Sequence, residues 1–172
     1  QEGLVPQMNS RILPVISNII VTRKLTKNEI DLHNFKTFSP IANTKNLLYY
    51  YRKLKDNRIL FGTRGDFVGS DQSNLNRSKI MEKFLKNIFP NWQNISIDYN
   101  WRGLIAMSQK LTPSIGKIEN EEIYYGFGYH GVGVSTAPWT GKQLSKIVFS
   151  SNSKDLNISK IYKGLPKKFI FP

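Results

Sequence analysis

The chain has 172 residues, enough for one domain or one domain and part of another. It is 40% hydrophobic and 12% aromatic, so it has the means to bury a core and falls outside the disordered class. It contains no cysteine, which excludes disulfides, thiolate metal sites and a cysteine nucleophile, and a cytoplasmic location is the expectation. The net charge of +13 invites a nucleic-acid reading. The lysines, however, are scattered from Lys24 to Lys117, and only 163–168 is locally dense, which argues against such a partner. No stretch approaches the ~18–20 apolar residues of a membrane-spanning helix.

In chain order, residues 11–25 are rich in Ile and Val and predict a long strand, with Pro14 favouring an edge or a bulge. Residues 26–46 are polar and irregular. Thr26 or Asn28 starts a helical turn, His33 sits in a loop, and Pro40 breaks the segment. The runs 46–54 and 58–63 flank Lys55, Asp56 and Asn57, a hairpin signal. Alternation there puts Tyr49 and Tyr51 on one face and Tyr50 and Arg52 on the other. A helix is predicted over 71–89, with Leu75, Ile80, Met81, Phe84, Leu85, Ile88 and Phe89 near helical spacing. Ser70 or Asp71 caps it and Pro90 ends it.

A strand region follows at 94–109, with Gly103 marking a bulge or a point of close approach. After a turn at Thr112, Pro113 and Ser114, the runs 115–118 and 123–129 form a hairpin that feeds a glycine-rich turn. A last helix covers 132–149, kinked at Pro138. The predicted fold class is α+β: a largely antiparallel mixed sheet, a flanking helix, and a C-terminal strand, glycine turn and helix.

The glycine turn organises the chemistry. Glycines 126, 128, 131 and 133 follow an apolar run and precede a helix. That arrangement lets backbone N–H groups and the positive end of a helix approach an anionic or electron-rich ligand. It equally suits a plain connector between strand and helix. The turn contains the GxGxxG spacing, but no strand–helix–strand follows it. The acidic residue due about 20 positions later would be Asp155, in a polar stretch. An adenine-side phosphate loop is therefore not the reading. His33 and His130 are too few for a histidine metal cluster, and no metal site is expected.

Four stretches, LPVISNIIVTRKL (13–25), YYYRKLKDNRILFGTRGDF (49–67), WRGLIAMSQKLTPSIGKI (101–118) and YYGFGYHGVGVSTAPWTGKQLS (124–145), together resemble the C-terminal part of FAD-dependent oxidoreductases of the D-amino-acid oxidase superfamily. The likeness is nearest to the gamma-glutamylputrescine oxidoreductase type. It implies an incomplete two-domain flavoprotein fold without the N-terminal Rossmann part. Residues 1–118 would then form the substrate-binding sheet domain, 119–150 the strand and helix returning to the flavin domain, and 151–172 a tail. It implies FAD as cofactor, contacted by Gly128, Tyr129, His130, Gly131, Val132, Gly133 and Val134. Tyr51 is implied as a substrate contact, with Tyr49, Ile105 and Pro113 around the pocket. The implied chemistry is oxidation of a C–N bond of an amine, by hydride transfer to flavin. Tyr51 has a second reading, as a strand aromatic in the core.

Two departures shape the substrate reading. Related amino-acid oxidases read W-x-G-L-R-P, with an arginine clamping the substrate carboxylate. Here Ile105 holds that position, Arg102 lies on the other face of the strand, and Gly131 replaces a second arginine found in some members. An amine is therefore favoured over an α-amino acid. No stretch before residue 60 gives strand, GxGxxG and helix, so the chain is expected to be a piece of a larger enzyme. Alone, it is expected neither to hold FAD tightly nor to turn over. Its partners would be the N-terminal half, in cis or in trans, and a small amine. The rival reading is a basic nucleic-acid-binding module that uses residues 49–51 and Trp101 as stacking platforms, and a third is a noncatalytic remnant.

Overall fold

A computed structural model describes residues 3, 5–45, 48–67, 69–149 and 158–170. The first two positions of the 46–54 run, and 151–157 of the expected tail with Asp155, lie outside the described residues. The elements are β1 (Leu13–Thr22), α1 (Lys27–Leu32), β2 (Ile41–Ala42), β3 (Tyr49–Lys53), β4 (Ile59–Asp66), α2 (Asp71–Ile88), β5 (Ile97–Met107), β6 (Ser114–Lys117), β7 (Tyr124–Phe127) and α3 (Gly133–Phe149). The α+β class and the antiparallel pairing are as the sequence predicts.

The chain divides into two compact units, 15–104 and 1–14 with 105–172. This division differs from the one expected at 118/119. The β6–β7 hairpin pairs within its own two-stranded sheet, so residues 105–118 group with the glycine turn.

In unit 15–104 the sheet order is β2-β3-β4-β1-β5. β1 is therefore interior, which rules out the edge position that Pro14 suggested. Pro14 precedes the β1–β4 ladder, which begins at Ile16. The ladder is irregular between Ile16 and Ser17, where Gly65 at φ +109 is the extra residue of β4. The β3–β4 hairpin closes through Leu54 and Arg58, with Asn57 at φ +65.

Ser70 caps α2 by accepting the Ser73 N–H. From α2, Met81 and Leu85 join Ile20, Ile59, Phe61, Phe89 and Trp92 in the core. Each of these buried aromatics contributes on the order of 2–3 kcal/mol of apolar burial. Three amides join strands to helix: Asn18 Nδ2 donates to Asn74, whose own Nδ2 donates to Asn100.

Thr26 begins α1 through a reciprocal capping box with Glu29. His33 is the cap that closes α1, with Nε2 accepting the Asn91 N–H at 3.2 Å. Gly103 makes no close approach, for a Cβ built there meets no atom within 4 Å.

In the other unit, α3 lies on β7. An added Cβ at Gly126 would fall 2.5 Å from Thr140 Cγ2, so glycine sets the helix–strand spacing. Pro138 is carried inside α3. The described part of the C-terminal tail is not loose. Ile115 N–H donates to Tyr162, Gly164 N–H donates back to Ile115, and Trp139 meets Tyr162 edge-on at 4.9 Å.

Candidate flavin site at the glycine turn

β7 ends at Phe127 and the chain turns into α3 through three left-handed residues: Gly128 at φ +76, His130 at φ +53 and Gly131 at φ +84. Such geometry suits glycine and costs any other residue about 1 kcal/mol or more, so His130 must be held in place by its contacts. Its imidazole is buried, Nε2 lies 3.3 Å from Ser108 Oγ, and its backbone N–H donates to Ala106 at 3.4 Å. Tyr129 adds a hydroxyl bond to the Gly126 carbonyl, and Val132 N–H donates to Tyr129. Ser108 has no motif in the sequence. Only the fold brings it under the turn, 22 residues before its partner.

Above this support the surface is bare. Val134 is 99% exposed and Val132 47%, and Gly131 and Gly133 put no side chain on it. By helix geometry the N–H groups of Gly133 and Val134, in the first turn of the 17-residue α3, have no intrahelical acceptor. These donors and the dipole of a long helix favour negative charge at this point. Tyr125, on the strand feeding the turn, has its phenol pushed up by burial and remains a neutral packing group.

The turn offers free backbone donors and a helix N-terminus to an anionic or electron-rich ligand. Among the described residues no other strand, glycine turn and helix is present to take a pyrophosphate. No group of three or more metal-ligating side chains is found among them either.

The other predicted residues fall in different places. Ile105 is half-buried, Pro113 is buried just before β6, and both belong to the unit that holds the turn. Tyr49 and Tyr51 belong to the sheet unit and face its core. Tyr49 packs on Phe61 and Phe84, and Tyr51 on Phe35, Phe61 and Phe89. The substrate role suggested for Tyr51 therefore meets a side chain already used in packing. Tyr50 is the tyrosine on the opposite face, its hydroxyl 3.1 Å from Ser17 Oγ. A nucleic-acid stacking platform at 49–51 loses two of its three rings to the same core.

The family model described as "FAD dependent oxidoreductase", DAO, matches residues 2–147. The chain belongs to the DAO family. Over 162 residues it is 32% identical to the probable oxidoreductase OrdL of Haemophilus influenzae, covering 91% of this chain and 36% of that protein. Over 143 residues it is 28% identical to the gamma-glutamylputrescine oxidoreductase of Escherichia coli, covering 83% and 33%. The crystal structure of L-proline dehydrogenase from P. horikoshii matches with a TM-score of 0.66 at 18% identity, over 88% of this chain and 39% of that one. That last likeness is one of fold.

This DAO-family chain spans about a third of the length of the curated relatives it matches, and it corresponds to their C-terminal part. Family members bind FAD. No described helix is long and apolar enough to cross a membrane.

Proposed function

We propose that this chain supplies the substrate-facing sheet and the flavin-contacting turn of an FAD-dependent enzyme that oxidises a C–N bond of an amine. The observation that carries the reading is the bare N-terminus of α3 behind the Gly128–Gly131 turn, in a chain of the DAO family. FAD, when bound, supplies the two-electron acceptor, and the imine product then hydrolyses.

This chain's own residues do the rest. The Gly133 and Val134 N–H groups would face the electron-rich part of the flavin and favour negative charge there, as preorganised donors do. His130 and Ser108 hold those donors in place. No acid–base cluster is needed, because orienting the amine contributes most of what the protein must add.

The name of the Escherichia coli relative, gamma-glutamylputrescine oxidoreductase, points to an aliphatic amine as substrate. The replacement of the clamp arginine by Ile105 agrees with that.

The test is an anaerobic screen of aliphatic amines and amino acids against the complete FAD-loaded protein, with the flavin-binding half present in cis or as a second chain. Bleaching of the oxidised flavin by amines supports the proposal. Bleaching by α-amino acids alone, or by none of the panel, overturns it. Stoichiometric FAD retained by the 172-residue chain on its own would overturn the dependence on the other half.

A further inference from the structure

The unit that holds the glycine turn also contains a cavity of about 290 Å³ near the far end of α3. Ile147, which lines it, lies roughly 20 Å along the helix from Gly133 at 1.5 Å per residue. The cavity is therefore separate from the surface offered to the flavin.

The described tail creates the opening. It runs beside β6 as a parallel partner, with Ile115 N–H donating to Tyr162 and Gly164 N–H donating back to Ile115. At Gly164, φ +76, the chain turns away. Lys117, next on that edge of β6, is left without a neighbour. Ile115 bonds to the tail and Ile118 N–H bonds back to Ile123, so the alternation of the ladder turns the Lys117 N–H and C=O away from β7. Neither finds a backbone partner among the described residues.

The lining is apolar with a positive rim. Ile115, Ile147 and Ile158 form the wall. The Tyr125 hydroxyl lies over Gly116, where an added Cβ would fall 2.5 Å from it, and has no hydrogen-bond partner among the described residues. The charged side chains that line the cavity are Lys117 and Lys163. The Lys117 ammonium holds Glu122, whereas that of Lys163 has neither ion pair nor hydrogen bond among the described residues. The carbonyls of Lys163 and Gly164 are already taken by the Lys110 ammonium. Positive charge and unused donors call for an anion, and the isoleucine wall calls for an aliphatic chain attached to it.

We propose that this cavity binds a short aliphatic carboxylate that is not the substrate. Its chain covers the three isoleucines, and its head meets the Lys117 N–H, the Tyr125 hydroxyl and the Lys163 ammonium. Occupancy ties the C-terminal end of α3 to β6 and the tail. Nothing is oxidised here, so the site stands apart from the amine reading.

The experiment is calorimetric titration of the complete FAD-loaded protein with hexanoate, acetate and hexanol, while the flavin absorbance is followed. Lys163→Gln removes the free cation from an exposed position, and Ile147→Trp fills the cavity; melting curves confirm that both variants fold. Hexanoate should bind the wild type with the flavin spectrum unchanged, and should raise its melting temperature. Acetate, which lacks the chain, should bind at least tenfold more weakly, and hexanol, which lacks the charge, should also bind more weakly. Lys163→Gln should weaken hexanoate roughly threefold to fivefold, as loss of one exposed charge pair does. Ile147→Trp should weaken it tenfold or more. No hexanoate binding by the wild type overturns the proposal, as does affinity unchanged in Lys163→Gln. Equal affinity for hexanol and hexanoate overturns the anion site, and a flavin spectrum that shifts with hexanoate places the ligand at the flavin instead.

Discussion

The two compact units solve opposite problems. Unit 15–104 is filled with rings: Phe35, Phe61, Phe89 and Trp92 are buried, and Phe89 stacks on Trp92 with centroids 4.2 Å apart. The unit with 105–172 relies on glycine at its close approaches and at its turn. Gly116 accommodates the Tyr125 hydroxyl, Gly126 accommodates Thr140, and Gly128 and Gly131 make the turn. Rings fix a sheet by excluding water from a large area. Glycines fix a ligand surface by removing side chains from it. A stable platform and a bare binding edge thus call for different residues.

Substitutions that act on one side only test that contrast. The largest effect is expected from Trp92→Ala. It removes a fully buried ring and the 2.7 Å bond from its Nε1–H to the Glu29 carbonyl, and should cost about 3–5 kcal/mol in chemical denaturation. A loss below about 1 kcal/mol would contradict the ring-filled core.

Next comes Gly131→Ala, at φ +84. The strain of about 1–2 kcal/mol falls on the turn, so FAD affinity of the complete protein should drop about tenfold, read by flavin fluorescence titration. Unchanged affinity would detach the turn from the cofactor.

His130→Ala removes the contact with Ser108 and should weaken FAD by a smaller factor, about threefold to tenfold, for loss of one hydrogen bond. Ser108→Ala should reproduce it, and the double variant should add little, because both act through one contact.

The smallest effect belongs to the sheet unit and appears only in acid. The Arg23 guanidinium and the Thr26 N–H hold the Glu29 carboxyl down, at about 2 against an ordinary 4.5. A lowered folded value means the contribution is complete above about pH 4.5 and is lost as pH falls through about 2. Because the pair is partly exposed, about 1 kcal/mol is expected after solvent screening. Urea midpoints for wild type and Glu29→Gln should converge as pH is lowered from 5 toward about 2. A constant gap across that range would mean the pair does not titrate as described.

Much of this was legible in the chain itself. Local rules placed α2 between Ser70 and Pro90, started α1 at Thr26, and set the hairpin around Asn57, because caps, proline and turn residues act over a few positions. The glycine spacing marked the turn before α3 for the same reason. Period-two alternation even separated Tyr50 from Tyr49 and Tyr51.

What alternation lacks is the sign: which face meets a helix depends on where α2 lands. The tertiary structure decided that Tyr49 and Tyr51 turn inward onto Phe61 and that Tyr50 turns outward across Gly62. It also decided that β1 is interior despite Pro14, since strand order is set by long-range pairing. Ser108 under His130 and the Tyr50 hydroxyl against Ser17 arise from partners 22 and 33 residues apart in the sequence. No local signal encodes such meetings. Sequence fixed the pieces through short-range sterics and hydrogen bonding, and packing alone chose which of their faces is free to bind.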